Sequence, residues 1–291
     1  MSEHQMVELA QGPVRYREQG EGDPILFVHG LLVDGRLWER AVEPLSASHR
    51  CIVPDWPMGS HQAAMKPEAD LSPPGVANLI AGFMDELGLE RATVVGNDTG
   101  GAISQILTAN HPDRVDRLVL TNCDTLEHFP PFPFNALPMI ARIPGAFTAL
   151  AVPFRLGRVR RGTYAPLAKR PIDPALVDAW LAPLGSDDGV RRDARKATAG
   201  LDKRHTIAAA ERLRGFQRPV RFAWATEDRF FKLDHAERLA AMLPDASIVE
   251  IEDARTFVSL DRPERLAEVI DGFVREGTPK AAVQPGERSQ G

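Results

Sequence analysis

Short apolar runs punctuate the first 123 residues: Ile25-Leu26-Phe27-Val28, Cys51-Ile52-Val53, Val94-Val95 and Leu118-Val119-Leu120. Runs this continuous do not alternate with polar positions, so they predict strands covered on both faces. Between them the period changes. Val76, Leu79, Ile80, Phe83, Met84 and Leu87 recur at helical spacing behind Ser72-Pro73-Pro74, which predicts a helix with one buried stripe. Trp38 to Leu45 reads as a weaker helix, and Ala102 to Ala109 as one stopped by Pro112. Residues 6–19, broken at Gln11-Gly12-Pro13, read as an opening hairpin. Strand and helix in alternation predict an α/β fold with a mostly parallel, doubly wound sheet.

The alternation stops at Asp124 and does not resume before Pro219. The stretch opens on Phe129-Pro130-Pro131-Phe132-Pro133-Phe134, too rich in proline for a central strand. Its helical patches, around 137–150, 176–181, 190–201 and 206–213, predict a helical lid inserted into the sheet domain, because a connection of this length is uncommon unless functional. Val220 to Trp224 and Ser247 to Ile251 complete the sheet. Asp234 is placed to cap a helix, and Leu266, Val269, Ile270 and Phe273 form the buried side of a last one. The expected organisation is a core of residues 1–123 and 218–275, a lid of 124–217, and a disordered tail of 276–291 rich in Pro, Gly, Gln and Ser.

One stretch combines strand, turn and helix with a reactive group: Val94-Val95-Gly96-Asn97-Asp98-Thr99-Gly100-Gly101. β-Branched residues before Gly96 favour a strand, and the small residues around Asp98 permit a sharp strand-to-helix turn that pushes one side chain outward. The helix that follows favours an ionised carboxylate at its N-terminus. Asp98 is therefore the leading candidate for the reactive residue.

Composition narrows the partners. The 291 residues carry 35 basic and 40 acidic side chains, a net charge of −5, which gives no field for nucleic acid or an anionic membrane. A small-molecule substrate is the expected partner of a monomer or homodimer. Only Cys51 and Cys123 occur, each in an apolar run, so a disulfide framework is not expected and the cytoplasm is the simplest compartment. No cluster of Cys and His has metal-ligand spacing, and no metal or cofactor is expected.

Phe27-Val28-His29-Gly30, Pro54-Asp55, the elbow at 96–101, Trp224 to Asp228, and Glu252-Asp253-Ala254-Arg255-Thr256-Phe257-Val258 resemble, in order and spacing, the α/β-hydrolase fold over residues 6–275. Asp98 at the elbow is similar to the aspartate-nucleophile branch, the haloalkane dehalogenases and epoxide hydrolases. The resemblance implies that the backbone amides of Leu31 and Thr99 form an oxyanion hole, that Asp228 is the acid of the triad, and that His29 is a turn residue rather than the base. It also implies a histidine where this chain has Thr256, and threonine cannot take a proton at neutral pH. Dehalogenases of this type carry tryptophan and asparagine where Thr99 and Leu31 stand here, and epoxide hydrolases use two lid tyrosines where this lid has only Tyr164.

His128 and His61, at the sheet edge where this fold gathers its loops, are candidate substitute bases, with His205 and His235 behind them. His29, Asn97, Asn122, Asp124 and Trp180 are expected to wall the pocket, and the lid phenylalanines to divide between lid core and pocket ceiling. The chain is thus expected to be an enzyme working on a small, largely apolar molecule through Asp98. The chemistry is either hydrolysis of an ester, epoxide or halide with a non-standard base, or noncovalent acid/base catalysis as in a lyase, cyclase or isomerase. The alternative is a catalytically silent member that only binds a ligand.

Overall fold

The computed structural model describes residues 3–276; the expected tail lies outside them apart from Glu276. Eight strands form one sheet: β1 (Gln5–Leu9), β2 (Gly12–Gln19), β3 (Asp23–Val28), β4 (His49–Pro54), β5 (Ala92–Asp98), β6 (Val115–Cys123), β7 (Val220–Ala225) and β8 (Ala246–Ile251). Their spatial order is β1-β2-β4-β3-β5-β6-β7-β8. The opening hairpin pairs antiparallel and β2 joins β4 antiparallel, while every later pairing is parallel.

The continuous runs are explained by what covers them. Leu26, Val28, Ile52, Val94, Leu118, Leu120, Phe222 and Trp224 point to one face and pack with α2 (Pro73–Glu86) and α3 (Thr99–Asn110). Their neighbours Ile25, Phe27, Cys51, Val53, Val95, Val119 and Ala223 point to the other, with α1 (Glu39–Leu45) and the last helix, Pro263–Arg275. Each fully buried aliphatic or Phe side chain contributes about 1.5–3 kcal/mol to this core. Cys51 and Cys123 are buried free thiols, and burial pushes that of Cys51 up to about 12.

Between β6 and β7 the chain forms six α-helices: α4 (Leu137–Arg142), α5 (Ala146–Ala151), α6 (Gly157–Thr163), α7 (Pro174–Ser186), α8 (Asp188–Ala199) and α9 (Lys203–Leu213). α9 packs on α3, and the Phe257 amide donates to Leu167 O at 2.8 Å, so the insert is anchored to the sheet domain on two sides. After β7 comes α10 (Leu233–Ala240). Asp234 does not cap it as the sequence predicts: the cap position is Lys232, and Asp234 lies inside the first turn, where its charge still complements the helix dipole. A one-turn α11 (Val258–Asp261) precedes α12 (Pro263–Arg275). No helix among the described residues is long and apolar enough to cross a membrane.

Candidate active site

β5 runs into α3 with no intervening loop, and Asp98 is the hinge, with φ 54° and ψ −133°. That left-handed backbone is disfavoured for any residue with a Cβ and persists only when its surroundings enforce it. Here the enforcement comes from close packing. A methyl group on Gly30 would overlap the Asp98 carboxylate, and one on Gly100 would overlap the carbonyls of Val28 and His29. Asp98 does not cap α3 with its side chain. Its carboxylate instead meets the backbone amides of Thr99 and Leu31. The two amides expected to receive a substrate oxyanion thus face the Asp98 carboxylate and favour its charged form.

Burial raises the Asp98 carboxyl to about 7; the Asp228 charge adds to that rise, while the amides of Thr99 and Leu31 oppose it. Asp98 lines a cavity of about 130 Å³ together with Leu31, Leu32, Thr99 and Asp124 from the sheet domain. Phe134, Leu137, Tyr164, Leu167 and Leu201 from the insert, and Phe230 and Phe231 after β7, close it with apolar surface. No arginine, lysine or histidine is among the described residues that line it. Tyr164 is not free to act as an acid there, because its hydroxyl donates to Leu32 O, steadying the segment that carries the Leu31 amide.

Asp228 follows β7 and accepts from the amides of Phe230 and Phe231 at 2.8 and 3.1 Å through Oδ1. Burial still raises its pKa, against those amides and the nearby side chains of Thr256 and Asn122. Thr256 stands beside Asp228 and is fully buried, yet neither Asp228 Oδ2 nor Thr256 Oγ1 is in a directed hydrogen bond. The Thr256 hydroxyl cannot take up a proton as a base at neutral pH.

Asn97 and Asn122 lie beneath the site rather than in its wall. Asn97 Nδ2 donates to Thr256 O at 2.7 Å and Thr121 Oγ1 at 2.8 Å. Asn122 takes the Ala225 amide at 2.6 Å and donates to Ala225 O and Phe231 O, pinning the segment that carries Asp228. Asp124 does face the cavity. Its side chain is 1% exposed, and burial, then the Asp98 charge, hold its pKa well above the usual carboxylate range. The Thr99 side chain opposes that rise, but neither Asp124 oxygen is in a directed hydrogen bond.

The histidines go elsewhere. His29 is buried beside the elbow, accepting from the Trp56 amide at Nε2 and donating to Gly30 O at Nδ1, both 2.8 Å; burial lowers its pKa and keeps it neutral. His61 meets Asp193 of α8 at 3.3 Å and accepts from the Gly59 amide at Nδ1, joining the loop after β4 to the insert. His128 stacks on His235 with ring centroids 3.7 Å apart, next to the Glu127–Arg238 ion pair. His205 lies on α9. His29, His61 and His128 do not line the Asp98 cavity, and nor does Trp180. The Trp180 indole is buried between Tyr164 and Phe257 and donates to Asp34 Oδ1 at 3.0 Å, because an indole N–H inside an apolar insert needs an acceptor. Phe230 and Phe231 also line the cavity, and the sequence marks them only as two aromatics within three residues of Asp228.

The family described as the alpha/beta hydrolase fold matches residues 23–263. Haloalkane dehalogenase 2 of Mycobacterium tuberculosis is 26% identical over 282 residues, 92% of this chain and 93% of that protein. A 2-hydroxy-6-oxo-6-phenylhexa-2,4-dienoate hydrolase of Comamonas testosteroni is 23% identical over 290 residues, again covering 92% and 93%. Among solved structures, the meta-cleavage product hydrolase CumD superposes with a TM-score of 0.76 at 20% identity, over 94% of this chain and 98% of that one.

Proposed function

The chain belongs to the alpha/beta hydrolase fold family, and from that premise we propose that it is an enzyme acting through Asp98 on a small, largely apolar molecule. One observation carries the reading: a carboxylate on a strained turn, beside two backbone amides, facing a largely apolar cavity. A carboxylate oxygen attacks an electrophilic carbon, the bond to halide or oxygen breaks with its electron pair, and an alkyl ester forms on Asp98. The Asp98 oxygen beside the Leu31 and Thr99 amides then becomes the ester carbonyl. When water adds, negative charge develops where those donors already point, and each donor of this kind is worth about 10²–10³ in rate by analogy with measured oxyanion donors.

The likeness to a haloalkane dehalogenase supports attack on carbon. The dienoate named for the Comamonas relative is an anion, and a cavity lined by carboxylates without a cationic side chain favours an uncharged molecule instead. A second reading rests on the Asp98 carboxyl titrating near neutrality with no histidine in the lining, which suits noncovalent proton transfer to or from a bound substrate.

Turnover in ¹⁸O-labelled water with a panel of alkyl halides, epoxides and esters separates the two. Covalent hydrolysis transfers label from water into the Asp98 carboxyl, read by peptide mass spectrometry, whereas proton transfer turns substrate over and leaves Asp98 unlabelled. Asp98→Asn abolishes both; a variant with undiminished turnover would overturn the assignment.

A further inference from the structure

We propose that Asp124 is the proton-transfer partner of Asp98, first an acid toward the oxygen that leaves carbon and then the base that activates water. The proposal rests on the covalent reading of Asp98 and supplies the group that Thr256 lacks.

The placement is built into the sheet. Asp98 pairs in register with Cys123, so the residue after Cys123 emerges beside the elbow. Gln105 of α3 fixes it there, donating from Nε2 to Asp124 O at 2.8 Å and to Gly101 O at 3.1 Å. Both carboxyl groups then line one cavity. The Asp124 side chain is 99% buried by its 1% exposure, and both its oxygens are without a directed hydrogen bond. A buried carboxyl whose oxygens take up no directed hydrogen bond, with only the Thr99 side chain near, is costly to keep for packing alone, and it is the arrangement that leaves a proton available to a molecule in the cavity.

The environment divides the labour. Burial and the Asp98 charge favour protonated Asp124, whereas Asp98 has two amides favouring its anion. Asp228 is the other carboxyl acting on Asp98, and no cationic side chain lines the cavity to neutralise the group. With an epoxide bound, Asp98 attacks carbon, the C–O electron pair moves to oxygen, and that oxygen takes the Asp124 proton. One negative charge thus passes from Asp98, now a neutral ester, to Asp124, whose ionisation the Asp98 charge no longer opposes. Asp124 then removes a proton from water as hydroxide adds to the ester carbonyl. Collapse expels the product oxygen, which takes the proton left on the Asp98 carboxyl, and regenerates Asp98 carboxylate and Asp124 acid. The same acid-then-base exchange operates in retaining glycosidases.

Two measurements on the full chain test this. At pH 8 the infrared C=O stretch of a protonated carboxylic acid is expected in the wild-type protein and lost in Asp124→Asn; an unchanged band would overturn the proposal. In the second, 1,2-epoxybutane and 1-bromobutane are reacted with wild type and Asp124→Asn and the Asp98 adduct is followed by mass spectrometry. Bromide departs without a proton and an epoxide oxygen does not, so the epoxide-to-bromide ratio of adduct rates is expected to fall by about 10²–10⁴ in the variant. An unchanged ratio would overturn the role. Absence of both adducts in wild type, with no ¹⁸O entering Asp98 from labelled water, counts against Asp98 rather than Asp124, and the infrared comparison then decides alone.

Discussion

Asn97 Nδ2 donates to Thr256 O at 2.7 Å, tying the residue before the elbow to the loop that follows β8. The bond uses the Thr256 backbone, so it holds whatever side chain the position carries. The same amide reaches Thr121 Oγ1 and Asn122 O on β6, bringing three segments together under Asp98.

Asn97→Ala should therefore destabilise the fold and loosen the site together. Removing the donor leaves Thr256 O and its companions buried without it, at a cost of about 1–3 kcal/mol. In urea the midpoint is expected to fall with an unchanged slope, since the surface exposed on unfolding is the same. An unchanged midpoint would mean the three acceptors find other donors.

In an Asp124→Asn background, which lacks the base proposed above, Thr256→His is expected to supply base catalysis. The side chain at 256 stands beside Asp228, whose Oδ2 is without a directed hydrogen bond and can orient an imidazole. Enlarging a fully buried side chain costs about 1–3 kcal/mol of stability. Against that, release of a pre-formed alkyl ester from Asp98 should accelerate by about 10²–10⁴. The check is decay of the adduct in intact-protein mass spectra of Asp124→Asn with and without Thr256→His, and equal decay in a folded double variant would contradict it.

The carboxyls of Asp98, Asp124 and Asp228 are all raised by burial, which fixes the sign of a stability change with pH. For Asp98, both folded and unfolded chains hold the proton below the unfolded value of about 3.9. Between there and the folded value of about 7 the native state binds more protons, so stability falls as pH rises through that window. Asp98→Asn removes this contribution. Its stability relative to wild type should be greater at pH 8 than at pH 4, measured by urea unfolding at both; a difference independent of pH would sink the assignment.

The sheet was legible in the sequence because strands buried on both faces leave uninterrupted apolar runs, as Ile25–Val28 does. The insert was legible only in part. α6 carries Arg158 and Arg160 and no apolar stripe, so hydrophobic periodicity does not reveal it. Trp180 was expected over the pocket and lies in the core of the insert, and Phe132, one of the same aromatic set, is 82% exposed. One dimension does not say which side of a helical insert faces inward. Asp98, Asp124, Leu31 and Thr99 do come together around one cavity. His61 and His128 reach the same end of the sheet in sequence order but are taken up by Asp193 and by the His235 stack. Those partners are distant in sequence, so only the fold discloses them.

Gly30→Ala probes how closely the elbow is built. Asp98 is held in a left-handed backbone with its carboxylate against the Gly30 Cα, where a methyl group would overlap Oδ2, Cγ and Cβ of Asp98. The carboxylate would have to turn away from the Leu31 and Thr99 amides, since the backbone at Asp98 has little freedom to follow. A misplacement of about 1 Å is enough to cost on the order of 10² in rate. Alkylation of Asp98 by 1-bromobutane should slow by at least about that factor, while the core strands on either side keep their packing and the circular dichroism spectrum is unchanged. Undiminished alkylation would show that the carboxylate does not need the pose that Gly30 permits.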